Sequence, residues 1–153
     1  MGRRVPACLP AAALLLIATA VAPAFGQDTL RVCLNQDVPP YSVHRNNADS
    51  GFDLAVAEAV ARRLGRSLTV QWFESKLDED SSSALEANAL LSDGRCDLVG
   101  GYPLIKDALG KPGFETARLP DFEGAKPSDR RRRVTLGTLV PTKPYHLAAL
   151  TVV

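Results

Sequence analysis

Few residues in this chain are of a type and spacing that could do chemistry. Two histidines, His44 and His146, lie far apart and have no metal-ligand spacing. Neither has a carboxylate neighbour in a pattern that suggests a catalytic base. There is no G-x-S-x-G elbow and no phosphate-binding glycine loop. Asp37, Asp53 and Asp97 are spread along the sequence, so they do not argue for a paired-carboxylate site. No catalytic residue, metal or cofactor is therefore expected, and what remains is binding. Tyr41 and Tyr102 each follow an apolar run, and two rigid aromatic faces can sandwich a small ligand. Asn35, Gln36 and Asp37 supply polar groups beside Tyr41, and Gly100–Gly101 lets a backbone approach closely. Near Gly51 and Phe52 a helix begins whose N–H groups suit an anion. In the plainer alternative, Tyr41 staples its loop to that helix and Tyr102 packs in the core.

These residues need a frame, and Gly51–Gly65, GFDLAVAEAVARRLG, organises it. Leu54, Ala57, Ala61 and Leu64, with Val60 beside them, form one apolar stripe of a helix. Ser50 is the expected N-cap, Asp53 suits the first turn, and Arg62 and Arg63 suit the last. Gly65 fits the left-handed position that ends a helix. Apolar strands are expected on either side, LRVCL over 30–34 and LTVQWF over 68–73. A second helix runs to about Ser92, with Ser83 and Glu86 at capping-box spacing. A third strand, CDLV over 96–99, ends at the glycine pair. Strands alternating with helices imply an α/β fold, a mostly parallel sheet with flanking helices. In such sheets ligands sit outside the carboxyl ends of the strands. The candidate ligand-binding residues are accordingly Asn35, Asp37, Tyr41, Phe52, Gly101 and Tyr102.

Other stretches read differently. Residues 35–41, NQDVPPY, are expected as loop because Pro39 and Pro40 cannot continue a ladder, and 44–50 as a polar turn. From 106 to 133 no period survives among Gly110, Pro112, Gly113, Pro120, Gly124 and Pro127, so a long surface loop is expected. It ends in Arg130–Arg133, which can grip an anion or a partner, or simply form a solvated edge. A last apolar strand is expected over 146–153. It stops without a polar tail or closing helix, which leads to the expectation of a chain cut off in mid-fold.

Arg3 and Arg4, the apolar run Leu9–Ala22 and the small residues near Gly26 read as a cleaved signal peptide over 1–26, hence export. The run is too short to span a bilayer, so no stable membrane insertion is expected. Residues 1–26 hold two arginines and no acidic residue, which leaves 16 basic against 17 acidic residues in 27–153. Such a balance gives no field for nucleic acid. Two cysteines remain, Cys33 and Cys96, in strands that could be neighbours. A disulfide and a pair of buried free thiols both remain open.

In combination, LRVCLNQDVPPYS, SGFDLAVAEAVARRLG, LTVQWF, LLSDGRCDLVGG and TKPYHLAALTVV resemble family 3 extracellular solute-binding proteins over about residues 29–153. The resemblance implies a lobe of the type II periplasmic-binding-protein kind, the first of two, with the second absent from this sequence. It further implies a periplasmic receptor that closes on a small polar solute and delivers it to the permease of an ABC importer. Two features depart from the amino-acid binders of that family. Gly101 stands where a serine is usual, and no arginine follows the third strand to hold an α-carboxylate. LRVC with GRCDLV and a later KPY resemble instead a subgroup encoded beside quinoprotein (PQQ) alcohol dehydrogenases, thought to assist a periplasmic dehydrogenase. Paired Cys33 and Cys96 fit that subgroup. A third, weaker reading is an enzyme on the same fold, like periplasmic dehydratases that resemble these receptors.

Overall fold

The computed structural model describes residues 1–2, 28–46, 48–76, 81–104, 106 and 109–147. The signal-peptide reading, beyond Met1 and Gly2, lies outside the described residues.

The first strand, β1 (Thr29–Asn35), pairs in parallel with β5 (Ser67–Glu74) over seven rungs, from Thr29↔Ser67 to Asn35↔Phe73. Helix α1 (Phe52–Leu64) connects them, so the expected βαβ unit is present. On the other side of β1 lies β6 (Leu98–Val99), also parallel. With the antiparallel β8 (Asp121–Phe122), the sheet has the order β6-β1-β5-β8. The fold is mixed α/β, with a mixed sheet of mostly parallel strands and helices α1 and α2 (Ser83–Ser92). Among the described residues no helix is long and apolar enough to cross a membrane.

Strand alternation divides the core between the two faces. Leu30, Val32, Leu34 and Trp72 point to one face and are covered by Ala57 and Ala61 of α1. Cys33 and Phe73 point to the other, where they meet Ala89 and Leu90 of α2, Cys96 and Phe122. Cys33 and Cys96 are disulfide-bonded, with Cα atoms 5.6 Å apart. Of the expected helical stripe, Ala57 and Ala61 are buried, whereas Leu64 is exposed. Gly65 takes the left-handed position at φ 66 and donates its N–H to the Ala61 and Arg62 carbonyls, as expected.

Several local expectations are corrected. The loop expected at 39–41 is present as a turn, but 37–38, 42–45 and 48–50 are not loop and turn: they form an antiparallel sheet of β2 (Asp37–Val38), β3 (Ser42–Arg45) and β4 (Ala48–Ser50). Pro39 and Pro40, joined by a cis bond, sit in the β2–β3 turn, where no ladder donor is needed. Ser50 pairs with Val43 in that sheet, so the N-cap of α1 is Gly51, without a side-chain cap. Gly51 has φ 126, and a Cβ there would lie 2.2 Å from the Tyr41 carbonyl oxygen. For α2 the cap is Ser82, whose Oγ accepts from Leu85 N–H at 3.3 Å.

The stretch 106–133 is not simply a surface loop either. β7 (Thr116–Arg118) pairs with β9 (Arg133–Thr135), β8 pairs with the end of β5, and a 3-10 turn covers Asp129–Arg131. Ala117, Leu119 and Phe122 are buried in the core beside α2. Strands of two or three residues between prolines and glycines are too short to show a period. Arg130, Arg132 and Arg133 are tied to Asp121, Asp93 and Thr116 respectively, so most of the arginine run stitches this segment to the domain. Of the expected last strand, His146 and Leu147 are not in a strand, and the rest lies outside the described residues.

Candidate functional site

The carboxyl ends of β1 and β6 and the first turn of α1 meet at one rim. Gly100 N–H, just past β6, donates to the Cys33 carbonyl at 3.0 Å, holding the glycine pair against β1. Next to it, Asp53 is 4% exposed. Its Oδ1 accepts from the Tyr145 hydroxyl at 2.9 Å, and that hydroxyl in turn accepts from Gly101 N–H at 2.8 Å. A single phenol thus joins the helix start to the end of the third strand. Burial raises the Tyr145 pKa above the ordinary tyrosine value, opposed by the Gly101 N–H bond and reinforced by the Asp53 carboxylate. Gly101 has φ +71, and a Cβ there would lie 2.6 Å from Asp53 Oδ2. A serine at 101 would therefore press its Cβ against a buried carboxylate, which is a physical reason for glycine at that place.

Aromatic rings cover this bond network. The Phe52 ring lies 6.0 Å from Tyr145 and 5.7 Å from His146, and the Tyr41 ring 5.7 Å from His146. Phe52 and Tyr145 keep more than two fifths of their surface in solvent, so ring area is available to a ligand or partner.

Of the residues singled out in the sequence, Tyr41, Phe52 and Gly101 come together here, linked through Asp53, Tyr145 and His146. Asn35 and Asp37 spend their side chains locally. Asn35 Oδ1 accepts from Asp37 N–H at 3.1 Å, and Asp37 Oδ1 accepts from Arg45 Nη2 at 2.5 Å. Tyr102 is turned elsewhere. Its hydroxyl is buried without a hydrogen-bond partner among the described residues, and burial, then the charge of Glu86 on α2, push its pKa up. No ring contact joins it to Tyr41 among the described residues. The expected anion site at the start of α1 is also filled. Phe52 N–H donates to the Pro40 carbonyl at 3.2 Å and Asp53 N–H to the Tyr41 carbonyl at 2.8 Å.

Sequence reasoning missed the pairing of Asp53 with Tyr145, since neither residue is unusual for its own segment. It also missed His44, whose Nδ1 lies 2.5 Å from Asp49 Oδ1 and whose ring stacks on Trp72 with centroids 5.0 Å apart. The β3–β4 pairing sets His44 opposite Asp49, a proximity invisible without the hairpin. Among the described residues no group of three histidine, cysteine or carboxylate side chains is arranged to hold a metal.

Neither family models, curated proteins nor solved structures match this chain.

Proposed function

We propose that this chain is the periplasmic solute-binding component of an ABC-type importer, holding a small polar solute at the rim past β1 and β6. The observation that supports this reading is the gathering of Tyr41, Phe52 and Gly101 at one rim, around the Asp53–Tyr145 bond. Flat, half-exposed rings offer stacking area, and the polar groups beneath them offer orientation. Within that rim, Gly101 N–H and Asp53 are bonded to Tyr145 and, among the described residues, to no guanidinium, which disfavours an α-carboxylate as the gripped group. Neutral or cationic polar solutes are the better candidates. Thermal denaturation of the full chain against a panel of such solutes tests the reading. A solute at 100 times its Kd should stabilise by about 2.7 kcal/mol. A flat response to the whole panel would count against transport.

A second reading, an accessory protein for a periplasmic quinoprotein (PQQ) alcohol dehydrogenase, is favoured by the strain a serine would meet at Gly101 and by the exposed Phe52, Tyr145 and Leu147. Exposed aromatic and apolar surface at one place suits a protein partner as well as a solute. Co-purification with such a dehydrogenase, without a response to any solute, would select this reading over the first.

A further inference from the structure

β5 has one full edge and one open edge. β1 pairs with all of Ser67–Phe73, whereas β8 reaches only Phe73 and Glu74 on the far side. The carbonyl of Trp72 accepts from Glu123 N–H at 2.9 Å on that far side, and the carbonyl of Phe73 accepts from Gln36 N–H, just past β1. Backbone groups two residues apart aim the same way, so the N–H and C=O of Leu68 and Val70 face outward with those of Trp72. They have no hydrogen-bond partner among the described residues.

A groove of about 550 Å³ runs beside this stretch. Leu54, Leu68 and Val70 give it apolar walls, and Asp49, Glu58 and Glu123 give it carboxylates, with no lysine or arginine in its lining. Glu58 and Glu123 make no ion pair among the described residues, and the partner of Asp49 is His44.

We propose that the outer edge of β5 is a docking edge for an extended, basic segment of a partner polypeptide. Unpaired strand groups add a further strand by main-chain hydrogen bonding, and alternate side chains of the added strand then enter the flanking groove. Lysine and arginine suit this groove because they lay an apolar stem along Leu54 and Val70 and end in a cation beside Glu58 and Glu123. The edge uses none of the rim residues, so it stands whether or not the solute reading does.

The probe is an acetylated heptapeptide alternating lysine with valine, titrated into the isotope-labelled full chain and followed by amide NMR. Three control probes accompany it: a glutamate–valine counterpart, an N-methylated lysine–valine peptide and free lysine amide. The expected result is that only the unmodified lysine peptide shifts and protects the Leu68 and Val70 amides. Replacing both acids, Glu58→Gln with Glu123→Gln, should weaken it about fivefold, the scale of two exposed ion pairs. The proposal is overturned if the lysine peptide does not bind at millimolar concentration, or if the glutamate or N-methylated peptide binds equally well. It is equally overturned if free lysine amide binds as tightly as the peptide, since that would mean a cation pocket without strand addition.

Discussion

Tyr145 and Asp53 lie 92 residues apart in the chain and meet in a hydrogen bond of 2.9 Å. The same hydroxyl takes the N–H of Gly101, so one side chain ties the start of α1, the end of β6 and the late Pro141–Leu147 segment into one rim. Asp53 is almost wholly buried, and among the described residues that phenol is the hydrogen-bond donor its carboxylate has.

Tyr145→Phe keeps the ring and removes both bonds. It leaves a buried carboxylate oxygen and a backbone N–H unpaired, which should cost about 1–3 kcal/mol. Urea denaturation with a fixed m-value would measure the loss. A cost below a few tenths of a kcal/mol would show that water replaces the phenol freely.

Gly101→Ala and Gly65→Ala form an informative pair. Both positions have positive φ, but a Cβ at 65 meets open space, whereas at 101 it meets Asp53 Oδ2. Substitution at 65 should cost about 1 kcal/mol for the left-handed backbone alone. At 101 the cost should be larger, about 2–3 kcal/mol, because Asp53 must also move. Equal denaturation midpoints would contradict the packing described at the rim.

The bond between Cys33 and Cys96 closes a loop with a sequence separation of 63. In the chain-entropy account, opening such a loop costs about 4 kcal/mol. Denaturation with and without a thiol reductant should differ by that order, and a Cys33→Ala, Cys96→Ala variant should match the reduced protein.

Arg31 and Asp97 form a bond at 2.6 Å, and Asp97 Oδ2 also accepts the Arg31 backbone N–H at 3.0 Å. The Arg31 side chain first, then its backbone N–H, hold the Asp97 carboxyl below its ordinary range. A carboxyl lowered by folding contributes stability above its unfolded pKa, near pH 4, and loses it as the pH falls through the lowered value. Both side chains are partly exposed, so the contribution is small and salt-sensitive. Carboxyl NMR titration should find Asp97 below the ordinary aspartate range, and Arg31→Gln should bring it up. If Asp97 titrates alike in both proteins, the guanidinium is not the cause.

How much of this was legible beforehand follows from the range of each interaction. The amino-acid order by itself determined the βαβ unit, with its apolar strands LRVCL and LTVQWF, the apolar stripe at Ala57 and Ala61, and the glycine stop at 65. Each of these depends on neighbours within a turn or two of chain, where period and backbone preference act directly. Only the tertiary structure decided that Tyr145 answers Asp53, that His44 stacks on Trp72 beside Asp49, and that the Tyr102 hydroxyl is buried with no ring contact to Tyr41 among the described residues. It also decided that Ala117, Leu119 and Phe122, set among prolines and glycines, belong to the core. Those outcomes rest on packing between segments distant in sequence, where burial and the pairing of buried polar groups prevail and no local pattern records the partner.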